Sequence, residues 1–487
     1  MGLEDKIYIQ YGKDVSYPTD KWNYSPESCY PEYPFREVSG TSNKVYEMVR
    51  EGLFQMGLDA DNYGKKEWNP LGDIISAGDN VLIKPNLVSH SNPVGGMECL
   101  VTHPAVLRAV IDYTLIALHG TGKVTVADAP VQSCDFVRLY SGGGYQQVTD
   151  FYRNHGIDIP FVDMRGTKSK RDKAGVLRQE EDEGQKAHAI LVDLGDESAF
   201  SDCTEERINR LRITNYASYE LNAHHQKGKH EYLISDYVLD ADVVINVPKP
   251  KTHRKAGVTG AQKNMVGINV EKSCLPHHTY GGKNSGGDEY PSDSWYTGAQ
   301  SWLHDHIDVA TKRKKYKEAR RYSFILKCVL AFGKLTGIKK KYLIKEGSWS
   351  GNDTIWRTVS DLNRILLYAD AEGHMCDSQQ RKVFIIADMI VCGEGEGPLM
   401  PSPYLMGLLL FGSHSLDIDK VIAGIWGIDW ERIPCISNTL RQKSRFQRPN
   451  RSTEVYSNEK RYNIGEIERL NRENFKHIKM PSGWQDV

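Results

Sequence analysis

A chain of 487 residues carries 62 Lys and Arg against 63 Asp and Glu, a formal net charge of −1. Near-neutrality excludes a global field that would draw nucleic acid or other acidic polymers, so any electrostatic role belongs to local clusters. With 39% hydrophobic and 26% charged residues the composition is that of a globular protein with room for a large core, and no apolar stretch reaches the roughly 20 residues that span a bilayer.

The N-terminus, "MGLEDKIYIQYGKD", lacks a basic segment followed by an apolar core, so no secretory signal is expected. "DKIYIQYG" is a short strand and "SNKVYEMVREGLFQMGLD" a helix capped at Ser42. "DNVLIKPNLV" is a strand interrupted by Pro85, and "THPAVLRAVIDYTLIALHG" a long helix that starts at Thr102 and Pro104 and stops at Gly120. "GKVTVADAP" is a strand ending in Asp128, "YQQVTDFYRNHG" a helix and "IDIPFVDM" a strand. This alternation predicts an α/β fold of mostly parallel sheets with flanking helices, arranged as two lobes around a cleft.

From about Thr167 to Glu231 the chain is polar and charge-mixed, with "DKAGVLRQEEDEGQK" as an exposed loop; core returns in "YLISDYVLDADVVINV". "LPHHTYGGKNSGGDEYPSDSWY" reads as a long loop, and loops of that length without regular structure are usually functional or disordered. Residues 311–342, "TKRKKYKEARRYSFILKCVLAFGKLTGIKKKY", set a short apolar run between two basic flanks. "GNDTIWRTVSDLNRILLYA" is a helix capped by Asn352 and Asp353, "RKVFIIADMIVCGEGEGPLMPSP" a strand running into a glycine-rich turn, and "DIDKVIAGIWG" the last core helix. The segments divide into an α/β core over 1–272, a loop-rich and basic insertion over 273–350, the remainder of the core over 351–440 and a surface tail over 441–487.

Four strand ends present polar residues of restricted type: Lys84 and Asn86, Asp128, the stretch "NVPKPKTHRKAGVTGAQKNMVGI" (246–268), and Glu394 with Glu396 in "GEGEGP". In open parallel sheets, ligands sit where loops converge at the carboxyl ends of strands. The 246–268 stretch is the densest: Lys249, Lys251, Arg254, Lys255 and Lys263 can surround an anion, while the glycine turn offers backbone N–H groups and the Thr259 hydroxyl. Its spacing matches neither a Walker A loop nor a dinucleotide fingerprint. His253, flanked by cations that favour neutral imidazole, suits a general base. Lys84, emerging from a buried strand, needs an anionic partner from ligand or protein. His277 and His278 are adjacent and weak as joint metal ligands, because neighbouring side chains rarely share one tetrahedral site. Nine cysteines stand singly with no C-x-x-C pair, which fits reduced thiols in a cytoplasm and no cysteine-held zinc.

On these motifs ("NVLIKPNLV", "THPAVLRAVIDY", "KVTVADAP", "ADVVINVPKPKTHRKAGVTGAQKNMVGI" and "GEGEGPLMPSP" leading to "DIDKVIAGIWG", together about 79–427) the chain resembles the family catalogued as domain of unknown function 362. Many of that family carry a ferredoxin-like iron–sulfur module. Its cysteine pattern is absent here, so no iron–sulfur cluster is expected. A fainter resemblance runs to the nickel-pincer lactate racemases, where a strand beginning "AD" precedes a histidine, a glycine turn and a lysine. It implies a catalytic place for His253 and a cofactor-contacting place for Lys263; the "VADAP" strand lacks the histidine that family puts after it.

The combined expectation is an enzyme acting on a small anionic metabolite or bound cofactor, phosphorylated or carboxylated, of isomerase or redox type. His253, Lys263 and Lys84 form the reactive set. Asn86, Asp128, Lys249, Lys251, Thr259, Asn264, Glu394 and Glu396 bind ligand, and a divalent metal is admitted. The other reading is a non-catalytic binding or membrane-peripheral assembly protein whose basic insertion meets an anionic membrane. Nucleic acid is not expected as a partner; a cytoplasmic location, with peripheral membrane contact allowed, is.

Overall fold

The computed structural model describes residues 3–19, 24–172, 177–338, 344, 346–442 and 452–485. One sheet runs through the molecule. Its strands, numbered in chain order, are β1 (Lys6–Tyr11), β2 (Asn80–Pro85), β3 (Lys123–Asp128), β4 (Phe161–Asp163), β5 (Val243–Val247), β6 (Lys251–His253), β7 (Gly257–Thr259), β8 (Lys382–Glu396), β9 (Met400–Gly412), β10 (Glu454–Ser457) and β11 (Gly465–Glu466). Their order is β11-β10-β1-β9-β8-β5-β2-β3-β4, with β6 pairing both β7 and β8. From β8 to β4 every neighbour is parallel, whereas β9 lies antiparallel to both β8 and β1. The fold is α/β, mostly parallel, as the alternating pattern predicts.

The parallel strands are apolar on both faces, as they must be when helices cover both. Val81, Ile83, Val243, Ile245 and Val247 point into one core, under helices α1 (Lys44–Gln55), α2 (Pro104–Leu118) and α3 (Tyr145–Asn154). Leu82, Ala127 and Val244 point into the opposite one, together with Leu362, Ile365 and Leu366 of α7 (Ile355–Tyr368). Ile385, Ala387, Leu408 and Leu410 join a third cluster with α8 (Ser415–Ile425). Each Val, Leu or Ile among them, fully buried, stabilises the fold by roughly 1.5–3 kcal/mol relative to exposure.

Local signals shift by a residue or two. The first helix is capped by Asn43, whose side chain accepts from the Tyr46 N–H, rather than by Ser42. Thr102 does not cap α2, whose N-cap is His103; its hydroxyl donates instead to the Val247 carbonyl at 2.7 Å and ties the helix entry to β5. The N-cap of α7 is Thr354 rather than Asn352 or Asp353, although Asn352, two residues earlier, accepts from the N–H groups of Thr354 and Ile355. The tail departs most from expectation: β10 lies parallel to β1, and Ile478, Met480 and Trp484 are buried. Part of the tail, 443–451, lies outside the described residues.

Candidate functional site

The site begins where β2, β3 and β5 end. Asn246 lies in register with Lys84, and the chain then leaves β5 through Pro248 and Pro250. Proline cannot continue a ladder, so the backbone swings aside. It re-enters the sheet edge as β6, against Gly393 of β8, turns back through β7, and ends in the short helix α4 (Ala261–Asn264). Close backbone approach demands glycines. A Cβ on Gly267 would lie 2.0 Å from Asp128 Oδ1 and 2.8 Å from Lys84 Nζ, and one on Gly260 would lie 2.0 Å from Asp419 Oδ1. Asp419, missed in the sequence, accepts from the Ala261 and Gln262 N–H groups (2.6 and 3.1 Å) and so caps α4; burial pushes its pKa up to about 7.

Five lysines converge here, and Lys84, Lys249, Lys251, Lys263 and Lys272 are all at most 9% exposed. Two are paired. Lys84 Nζ meets Asp128 Oδ1 at 2.6 Å, while Asp128 Oδ2 accepts from the Leu87 N–H at 2.6 Å. Lys249 Nζ meets Asp388 Oδ2 at 3.0 Å and donates to the Tyr17 hydroxyl, which itself donates to Asp388 Oδ1. The partner of Lys84 is therefore a structural carboxylate, and Lys84 and Lys249 are anchors rather than free ligand groups. Asp388 was legible, because an acid inside "FIIADMIV" must find a cation. Tyr17, fifteen-odd residues from the N-terminus, gave no such signal.

The other three lack a carboxylate within 4 Å among the described residues. Lys251 Nζ donates to Asn86 Oδ1 (2.8 Å) and the Lys249 carbonyl (2.9 Å), and burial, aided by Lys249, pulls its pKa down to about 7. Lys272 donates to the Val266 carbonyl (3.0 Å), and burial likewise brings it to about 7. Lys263 makes no hydrogen bond or ion pair among the described residues, and burial lowers it to about 8. Of these five buried ammonium groups, only Lys84 and Lys249 are held by a carboxylate among the described residues.

An amide network fixes the floor of the site. Asn264 Nδ2 donates to Asn246 Oδ1 (2.8 Å) and to the Lys84 carbonyl (3.2 Å), and Asn264 Oδ1 accepts from Asn86 Nδ2 (2.9 Å). Asn86 and Asn264 thus belong to the site as its scaffold. Thr259 is the cross-strand partner of Lys251, so the two share a face, and its buried hydroxyl has no hydrogen-bond partner among the described residues.

His253 sits two residues beyond Lys251, on the same face of β6. Its Nδ1 accepts from the N–H groups of Lys255 (3.0 Å) and Ala256 (3.1 Å), which fixes the proton on Nε2. Burial, then Lys263 and His277, holds its pKa well below the usual imidazole value. The neutral ring is as expected, but in this tautomer Nε2 is a donor, not the base the sequence suggests. His277 is the complement: its Nδ1–H donates to the Leu275 carbonyl at 2.7 Å, which leaves a lone pair on Nε2. Burial, then Lys255 and Lys263, keeps it neutral too.

Other candidates fall outside this arrangement. Glu394 Oε2 accepts from the Lys479 N–H (3.1 Å) and Glu396 Oε1 from the Ser482 N–H (2.8 Å), so both carboxylates dock the tail. They lie in strand β8, not in a mobile turn. His278 pairs in a two-residue ladder with Arg212, and its buried Nδ1 has no hydrogen-bond partner among the described residues. Neither His277 nor His278 belongs to a set of three potential metal ligands; among the described residues that pattern occurs at Asp370, Glu372 and His374, in a solvent-facing turn. A surface cavity of about 850 Å³ lies elsewhere, against Lys6, Tyr8, Gln55, Asp73 and Asn458, and its one lysine already donates to the Gln55 and Met56 carbonyls.

Fold and site together define an α/β protein with an excess of buried cations at the carboxyl ends of its parallel strands. The chain belongs to the family described as domain of unknown function (DUF362), which matches residues 81–191 and 183–424. A thylakoid-associated protein of Synechocystis sp. is 25% identical over 215 residues, covering 44% of this chain and 47% of its own length. The chain therefore matches about half the length of that curated relative. No helix among the described residues is long and apolar enough to cross a membrane.

Proposed function

We propose that this chain is a cytoplasmic enzyme that binds a small anion, a phosphorylated or carboxylated metabolite or cofactor, between Lys251, Lys263 and the Thr259 hydroxyl, and transfers a proton on it. The observation that carries this reading is Lys263. The residue is 9% exposed and its ammonium has no acceptor among the described residues, and the usual resolutions for such a group are loss of its proton or an anion from outside. Lys251 and Lys272, with neutral acceptors alone, stand in the same position.

The two histidines supply the proton chemistry. His253 offers an Nε2–H and His277 an Nε2 lone pair, both near enough to Lys263 to feel its charge. An opposed donor and acceptor beside an anion cradle suit enolisation or isomerisation at a carbon next to a carboxylate or phosphate-bearing group. Lys84–Asp128 and Lys249–Asp388 hold the strand ends in place, and the asparagine network fixes Lys251.

A panel of phosphorylated and carboxylated metabolites, screened by thermal shift against the native protein and Lys263→Met, tests this. At least one class of anion should raise the melting temperature of the native protein and leave the variant unmoved. A panel that shifts neither protein, or both equally, defeats the reading.

A further inference from the structure

The insertion holds a second unpartnered feature, chemically unlike the first. Helices α5 (Trp295–Lys312) and α6 (Tyr316–Leu335) pack antiparallel: Trp295 meets Phe332 with ring centroids 5.9 Å apart, and Trp302 meets Tyr322 at 5.8 Å. The inner side of α6 is closed by Ala319, Leu326 and Gly333, the last too near the Tyr296 ring to accept a Cβ. Its outer side runs the wrong way for a solvent-facing helix. Phe324, Cys328, Ala331 and Leu335 follow one another at helical spacing, flanked by Ile325 and Phe332, and all six are exposed. Phe324 is 68% and Leu335 87% exposed, and Trp295 of α5 adds a further ring at 61%.

Such a stripe requires a cover, and its surroundings say of what kind. α6 carries Lys317, Arg320, Arg321, Lys327 and Lys334 against one acid, Glu318, which is itself paired with Lys315 at 3.2 Å. Lys327 and Lys334 repeat at seven-residue spacing beside the stripe, exposed and with no carboxylate partner among the described residues. Residues 312–315, the densest basic run by sequence, are in part tied down: Lys312 pairs with Glu220 at 2.6 Å. Residues 339–342, the second basic flank, lie outside the described residues.

We infer that the outer face of the α5–α6 hairpin docks on an anionic lipid surface, with Phe324, Phe332, Leu335 and Trp295 inserted to the level of the headgroups and Lys327 and Lys334 against lipid phosphates. Apolar and aromatic side chains rimmed by Lys and Arg are what an interfacial helix needs; a helix crossing the bilayer would need neither the rim nor the packed inner face. The inference stands apart from the anion cradle, on different residues.

Co-sedimentation with vesicles of phosphatidylcholine, alone and mixed with phosphatidylglycerol, tests it on the full chain. The native protein should partition onto the mixed vesicles and stay in solution with phosphatidylcholine alone. Lys327→Gln with Lys334→Gln should weaken that partitioning roughly thirtyfold, and Phe324→Ser with Phe332→Ser should abolish it. These side chains are exposed, so an unchanged melting curve checks folding. No partitioning of the native protein, equal partitioning on both vesicle types, or a stable dimer that buries Phe324 and Phe332 in solution would each overturn the inference.

Discussion

Two regions of this molecule are rich in lysine, and their environments are opposite. In the 246–272 cradle the ammonium groups lie in the protein interior. Lys249 and, beside the cradle, Lys84 have carboxylates, Lys251 and Lys272 have neutral oxygens, and Lys263 has no partner among the described residues. On helix α6 they stand in water, where a lysine needs no partner and its charge costs little. The same residue type therefore means different things. Buried, an unpaired lysine is held at some expense to stability, which is what the proposed anion site would use. Exposed, it becomes informative only with the apolar stripe beside it.

The contrast can be broken most forcefully at its paired end. Asp128→Ala leaves Lys84 buried without its carboxylate, and should cost about 3–5 kcal/mol of stability in a denaturant titration. A loss below about 1 kcal/mol would mean that the strand ends are not held by this pair. Sharpening comes from pH. In the unfolded chain Lys251 and Lys263 keep their protons up to the ordinary value of 10.5, whereas in the folded protein they release them near about 7 and about 8. Between those limits the unfolded chain holds the extra protons, so the ligand-free protein should gain stability as pH rises from 7 toward 10. A melting temperature that falls steadily over that window as Lys251 and Lys263 titrate would contradict the buried, unpaired assignment. At the other extreme, Lys327→Gln with Lys334→Gln should change stability by no more than about 0.5 kcal/mol in the same titration.

How much of this was legible in the sequence follows from what each feature depends on. The βα alternation is written in local periodicity, and with it the convergence of Lys84, Asn86, Asp128 and 246–268 at the strand ends. Partners are a different matter. Glu394 and Glu396 look free in "GEGEGP", yet one oxygen of each accepts from an N–H group some 85 residues further on. The buried neutrality of His253 could be read from its cationic neighbours, but its tautomer depends on how the turn at Lys255 and Ala256 folds back. On α6 the basic flanks and the apolar run are plain in the sequence. Which face α5 covers, and hence that the aromatic face points outward, is settled only by packing.

A cradle built for an anion should take up protons when it binds one. Isothermal titration calorimetry at pH 8, with inorganic pyrophosphate and with citrate, in two buffers of different ionisation enthalpy, measures both at once. The native protein should bind at least one of these anions saturably. Binding should bring net proton uptake, because Lys251 and Lys263 recharge beside the ligand, and both signals should be lost in Lys263→Met. Saturable binding that is equal in Lys263→Met, or no binding of either anion to the native protein, would contradict the anion cradle.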